Sequence, residues 1–322
     1  MSPTMKQWVV QGKDKDFDGL SLQEAPIPKG LYPFAVNFPV VPGSDGAGEV
    51  VEVGPKVTDF KKGDKVATLF NQGHQWGEID GPAALTGLGG AIDGVLREYA
   101  VFNQIGLVKA ASNLSAIENS TLACAAVTSW NALYGLKPLK PGQTVLVQGT
   151  GGVSTFGLQF AKAAGATVIA TTSSESKAAK LKKLGADHVI NYKTDPNWGE
   201  TARSLTPDKA GVDHIIEVGG PGTLQQSFKA IKFEGVISII GFLGGTDASS
   251  QPGILDTLSN ICTVRGVYVG SKALMRDMIR AIEANDIHPV VDEKVFTLDQ
   301  TRQAYEYQWA QSHFGKLTIK IA

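Results

Sequence analysis

Gly149-Thr150-Gly151-Gly152 places three glycines in four positions, the arrangement in this 322-residue chain best suited to chemistry on a phosphate. Glycines let a backbone turn tightly and bring its N–H groups against a pyrophosphate, whose charge then meets the positive end of a following helix. Such a cluster means little alone. Here an apolar run, Thr144 to Gln148, precedes it. Val153, Phe156, Gly157, Phe160, Ala161 and Ala164 follow at helical spacing, Gly165 acts as a stop, and a second apolar run covers Thr167 to Thr171. Strand, glycine turn, helix and strand form the context that a dinucleotide site requires. Gly149, Gly151, Gly152 and Val153 are therefore its expected contacts. The third glycine of G-x-G-x-x-G falls on Ser154, which is small enough to be tolerated, and Gly157 is the next position suited to close helix–strand packing.

The end of the second strand decides which dinucleotide fits. An Asp or Glu about 20 residues beyond the turn accepts hydrogen bonds from the ribose of NAD. This chain reads Thr171-Thr172-Ser173-Ser174-Glu175-Ser176-Lys177, with hydroxyls where the carboxylate would end the strand. Ser173, Ser174 and Lys177 suit the extra phosphate of NADP, helped by a helix N-terminus near Ser173. Either serine also suits a helix N-cap, and the two roles can coexist.

Metal chemistry has few donors. Cys124 and Cys262 are the only cysteines, far apart and outside any Cys-x-x-Cys, so neither a disulfide framework nor a four-thiolate zinc site can be built. Both are expected as small core residues, and His74 as a loop or surface residue. Thirty Lys and Arg against 31 Asp and Glu, without a basic stripe, argue against nucleic acid. No apolar run approaches the roughly 20 residues of a membrane span, and the N-terminus lacks the long apolar stretch of a signal peptide. A cytoplasmic address is the expectation.

The length calls for two domains. From Val40 to Val108 short β runs alternate with turn signals, among them Gly48 to Gly54, Gly63 to Ala67 and Leu96 to Val101. A helix is expected from Ile117 to Leu136. From Thr144 strands and helices alternate, with further strands at His188 to Asn191, Val212 to Glu217, Gly235 to Ile240 and Thr263 to Val269. Continuous Val/Ile runs of this kind suit a parallel sheet covered on both faces. A helix from Lys272 to Asn285 and a β-rich tail ending at Lys316 to Ile321 follow. The fold class is α/β: a doubly wound Rossmann sheet with a smaller β-rich domain.

Val41-Pro42-Gly43-Ser44-Asp45-Gly46-Ala47-Gly48, Asp59-Phe60-Lys61-Lys62-Gly63-Asp64-Lys65-Val66, Ala125-Ala126-Val127-Thr128, the turn at 149–152 and the closing Gly315-Lys316 occur in the order found in a known family. The chain resembles the medium-chain dehydrogenase/reductases, in particular their zinc-independent quinone oxidoreductase-like and alcohol dehydrogenase-like members. The resemblance implies a GroES-like catalytic domain over 1–122, a Rossmann NADP-binding domain over 123–270, and a return to the catalytic domain over 271–322. It implies that Thr128, Gly241 and Phe242 lie by the nicotinamide, that Tyr192 and Lys177 lie by the adenosine phosphate, and that Lys316 contacts the cofactor. It also implies homodimers joined through the edge at Thr263 to Val269. Tyr32 resembles a pocket residue of the quinone reductases and would donate a hydrogen bond, while Ser44 stands where zinc-dependent members carry a histidine ligand. Cys124 resembles a later ligand, but one thiol cannot hold zinc. Between Lys29 and Gly30, relatives would place a strand and a helix with connections, about 25 residues in all.

The expected activity is NADP(H)-dependent hydride transfer to a small carbonyl, enone or quinone without catalytic zinc. The cofactor carries the chemistry and the protein orients it. Two other classes stay open: a zinc-type alcohol dehydrogenase, opposed by the missing ligands, and a weakly active or non-catalytic NADPH-binding protein, suggested by the missing segment.

Overall fold

The computed structural model describes residues 36–242 and 252–321. Two compact units divide them. One joins the described residues up to Val127 with those from Gly270 onward, and the other is Thr128–Val269.

In the first unit, β1 (Ala47–Glu49), β2 (Lys65–Thr68) and β3 (Leu107–Lys109) form an antiparallel sheet in that order. A short helix α1 (Gly81–Ala84) lies between β2 and β3, and α2 (Ala116–Asn119) follows β3. The expected strand from Gly48 to Gly54 shortens to β1, and Leu96 to Val101 contains no named strand among the described residues. The helix expected from Ile117 to Leu136 is interrupted. After α2 comes a π-helical turn, Leu122–Ala126, and only then α3 (Val127–Tyr134). Such turns are rare and concentrate at functional sites.

The second unit is a six-stranded parallel sheet. Its members are β4 (Thr144–Gln148), β5 (Thr167–Thr172), β6 (His188–Asn191), β7 (Val212–Glu217), β8 (Ile231–Ile239) and β9 (Thr263–Gly266), in spatial order β6-β5-β4-β7-β8-β9. Helices α4 (Gly152–Ala163), α5 (Glu175–Lys183), α6 (Trp198–Ser204), α7 (Pro221–Ala230) and α8 (Leu255–Ser259) connect the strands. The order reverses between β4 and β7, the doubly wound arrangement whose crevice at the carboxyl ends of the strands receives a ligand. Every residue of β4 is buried, as the unbroken Val/Leu run demands. Leu146, Ile169, Ile215 and Ile237 form the core with Trp198 and Phe228. Gly157 brings α4 against the sheet, since a Cβ there would come within 2.4 Å of Ile216 Cδ1.

The chain then returns to the first unit through α9 (Lys272–Asn285), β10 (Val291–Thr297), α10 (Thr301–Trp309) and β11 (Lys316–Lys320), with β10 and β11 paired in parallel. Ser271 caps α9 by accepting from Leu274 N, and Asp286 ends it in the left-handed conformation. No helix among the described residues is long and apolar enough to cross a membrane.

Candidate dinucleotide site

At the end of β4 the chain turns through Gly149, whose φ of +77° suits glycine. Gly149 N donates to Thr171 O at 2.9 Å, fixing the turn to the end of β5. Gly151 is the N-cap of α4 and, having no side chain, makes no side-chain cap. A Cβ at Gly149 or Gly151 would meet nothing within 4 Å, so space lies open beside the first N–H groups of a twelve-residue helix. Beneath the turn, buried Ser154 donates its hydroxyl to Gln148 O. The serine in place of a third glycine thus pins the turn to the strand. Ser129, next to buried Thr128, donates to Val153 O at 2.7 Å and fixes the start of α3 to the start of α4.

The β5 and β6 ends bring the next group together. Ser174 is the N-cap of α5, its hydroxyl accepting from Lys177 N. Ser173 beside it is exposed and Lys177 half-buried. Tyr192 N donates to Thr172 O at 3.0 Å, which places the exposed Tyr192 next to the end of β5. Glu175, one residue past the cap, accepts from Asn191 Nδ2 at 3.1 Å. This carboxylate sits in the first turn of α5 rather than at the strand end where sequence reasoning looks for one.

A third group was not anticipated. Glu217, fully buried at the end of β7, accepts from Gly219 N and Gly220 N at 2.9 Å, from Thr223 and Ser227 hydroxyls, and from Gln148 Nε2 at 2.7 Å. Glu217 therefore holds the turn that precedes α7, a helix whose first residue, Pro221, has no N–H to cap. The available signal was the buried-strand run ending in Glu217-Val218-Gly219-Gly220. Gly241 and Phe242 follow β8 and lie against Gly220, where a Cβ would meet Gly241 O at 2.8 Å.

The other unit holds the remaining expected residues. Ser44 donates its hydroxyl to Asp45 Oδ1 at 2.6 Å, and Lys316 Nζ donates to Asp45 Oδ2 at 3.1 Å. Thr68 anchors this strand end by donating to Ser44 O at 2.9 Å and accepting from Gly46 N. Burial alone would lower the Lys316 ammonium's pKa, but Asp45 and Cys124 beside it hold it above the ordinary lysine value. Lys316, expected at the cofactor, is thus engaged by Asp45. Cys124 and Cys262, expected as core residues, are half-buried, and Cys262 packs against the core of the parallel sheet. His74 is a loop residue but buried, with Nε2 3.0 Å from Gly77 O. Tyr32 and the Lys29-Gly30 junction lie outside the described residues.

An open parallel sheet with a glycine-lined, uncapped helix start at its switch point defines a dinucleotide-binding protein. The chain matches the alcohol dehydrogenase GroES-like domain over residues 18–112 and the zinc-binding dehydrogenase domain over 152–284. It is 50% identical over 306 residues to a zinc-type alcohol dehydrogenase-like protein of Schizosaccharomyces pombe, covering 94% of this chain and 88% of that one. It is 32% identical over 280 residues to an NAD-dependent alcohol dehydrogenase of Saccharolobus solfataricus, covering 84% and 79%. Its fold superposes on the crystal structure of a candidate alcohol dehydrogenase from Sinorhizobium meliloti with a TM-score of 0.87, at 36% identity and full coverage of both chains. The chain belongs to the medium-chain dehydrogenase/reductase superfamily as an alcohol dehydrogenase-like oxidoreductase. The fold is the superfamily's own, a GroES-like domain with a Rossmann-like parallel sheet, and a nicotinamide dinucleotide is the cofactor that goes with it.

The zinc in the relatives' names is a different matter. The described residues contain no group of three His, Cys, Asp or Glu able to hold a metal ion. Zinc sites use Cys, His and carboxylate donors. Beside Ser44, Asp45 already accepts from the Ser44 hydroxyl and the Lys316 ammonium, and a second cation there would meet that positive charge. The Ser44, Asp45 and Lys316 side chains do not fit a zinc ion, since a hydroxyl and an ammonium stand beside the carboxylate.

Proposed function

We propose that this protein is an NADP(H)-dependent oxidoreductase that passes hydride to a small carbonyl, enone or quinone without catalytic zinc. The observation that carries the metal-free reading is the Ser44–Asp45–Lys316 cluster, in which an ammonium supplies the positive charge beside the carboxylate. When bound, the nicotinamide supplies the hydride. The protein's part is to hold the dinucleotide on the glycine turn and to orient it. An enone or quinone suits such a site because its developing enolate needs only hydrogen bonds and a proton from water. A simple alkoxide would lean on a metal.

NADP is favoured over NAD by the exposed Ser173 hydroxyl, Lys177 and Tyr192 at the β5 and β6 ends. NADPH should bind at least about tenfold tighter than NADH, and Lys177→Ala should erase most of the difference, since a hydrogen bond to a charged group contributes roughly 1.5–3 kcal/mol. Fluorescence titration decides; equal affinities in the unaltered protein would point instead to the Glu175 carboxylate as the ribose partner. The same preparation, dialysed against chelator, should oxidise NADPH with an enone and quinone panel. One tightly held zinc per chain by elemental analysis, with activity lost on chelation, would refute the metal-free reading.

We also infer a homodimer through β9, the last strand of the sheet order. Ile254, Leu255 and Leu258 beside it are 86%, 71% and 72% exposed, an apolar ridge unusual for a surface facing water. Light scattering should report a dimer, and Leu258→Asp should give monomer. A monomer in the unaltered protein would end this assignment.

A further inference from the structure

We propose that Glu217 and Gln148 act as a positioning pair for the bound dinucleotide, setting the turns at Gly149–Gly152 and Val218–Gly220 at the switch point. The inference rests on the reading that a nicotinamide dinucleotide binds at the β4–α4 turn. Gln148 is the last residue of β4 and Glu217 the last of β7, so the pair stands where the strand order reverses and directly precedes both turns. Its hydrogen bonds are directional, and Gln148 Nε2 donates to Ser227 Oγ at 3.0 Å as well as to Glu217. Gln148 Oε1 accepts from Val218 N and Gly219 N at 3.2 Å, so its Nε2 must point to Glu217 Oε2. Glu217 Oε1 accepts from Gly219 N, Gly220 N and Thr223 Oγ1, leaving Oε2 for Gln148 and Ser227. Gln148 O meanwhile accepts from Ser154 in the first turn of α4. Glu217 O accepts from Ile240 N at 2.8 Å, extending the clasp to the residue before Gly241 and Phe242.

The charge holds the turn before α7. Gly219 N and Gly220 N both donate to the Glu217 carboxylate, and Gly220 is the residue against which Gly241 and Phe242 lie, so the carboxylate fixes the backbone on that side of the crevice. Burying the carboxylate is tolerable because five donors converge on it.

The arrangement makes a swap test possible. In Glu217→Gln the new NH2 group, forced into the Oε2 position, faces the Gln148 NH2 group, and the pair must part. Placing Gln148→Glu and Glu217→Gln together restores a donor facing an acceptor, with the carboxylate moved to the neighbouring strand. The full-length protein is titrated with NADPH at a temperature well below its Tm, with Tm and circular dichroism measured alongside. Glu217→Gln is expected to raise the NADPH Kd at least tenfold, the swap to return it to within about threefold, and Thr223→Val, which removes one donor without changing shape, to raise it three- to fivefold. A merely structural role would lower Tm and leave Kd alone in protein that is still folded. Unchanged Kd in folded Glu217→Gln overturns the inference. So does a swap that fails to rescue, or, should Glu217→Gln not fold, unchanged Kd in Thr223→Val. If the unaltered protein binds neither NADPH nor NADH, the dinucleotide reading itself fails and takes this inference with it.

Discussion

Gly151→Val is expected to weaken dinucleotide binding at least about a hundredfold while costing the fold no more than about 1 kcal/mol. The asymmetry follows from the geometry at that one residue. Gly151 has φ −75° and ψ 173°, extended backbone that valine adopts readily, and a Cβ there would touch nothing in the protein. Losing glycine at an N-cap is the only expected penalty in the free protein. The open space is where a pyrophosphate must approach the α4 N–H groups. Two methyl groups there would hold it away, and losing two charge-assisted hydrogen bonds, at roughly 1.5–3 kcal/mol each, exceeds the roughly 2.8 kcal/mol of a hundredfold change. Gly149 would be the wrong choice for this test, because its positive φ makes any side chain strain the turn itself. Calorimetric titration with NADPH beside a thermal melt checks the result. A Gly151→Val protein that melts normally and binds normally would move the cofactor away from this turn.

Acidification from pH 6.5 to pH 4 should remove roughly 2–4 kcal/mol of stability through His214 alone. This residue lies mid-strand in β7, between Val145 of β4 and Val236 of β8, and only 2% of it is exposed. Neither ring nitrogen has a hydrogen-bond partner among the described residues. Burial is the main cause that lowers its pKa, to about 4; Lys137 and Arg265 push the same way, and Asp213 opposes them. The sign follows from proton counting. Below the unfolded value near 6.5 the unfolded chain takes up a proton that the folded chain refuses until about pH 4, so folding loses about 1.4 kcal/mol per pH unit across that window. Above pH 6.5 the contribution is fully present. His214→Leu removes the titration without breaking a hydrogen bond, and should match or exceed the unaltered protein at pH 7 with a flatter profile below it. Denaturant unfolding at several pH values, read as the difference between the two proteins, isolates this residue from the carboxylates. Parallel profiles would show that His214 finds a partner or water that lets it charge.

The elements that read cleanly are those with a burial pattern strong enough to need no neighbour for its interpretation. The runs at 144–148, 188–191 and 212–217 became β4, β6 and β7 as expected, because each carries adjacent Val, Leu or Ile residues at its centre. The helix expected from Lys272 to Asn285 is α9, with those bounds. The glycine turn was legible because the strand before it and the helix after it are local features. Where pairing or packing decides, the same reasoning stopped short. Leu96 to Val101 has the composition of a strand but no named strand among the described residues, and a π-turn splits the helix expected from Ile117 to Leu136. Hydrophobic pattern cannot reveal either outcome.

The amino-acid sequence by itself determined the class of this protein: its strand–turn–helix opening and its alternation of strands with helices are properties of residue type and short spacing. Only the tertiary structure decided how the sites are wired. Gln148 and Glu217 are 69 positions apart, and Asp45 and Lys316 are 271 apart. Each pair meets because strand order or a returning chain brings its members together. The physical reason is that a carboxylate shielded from water must find donors wherever the fold supplies them, and no local pattern encodes which distant residue will come within hydrogen-bond reach.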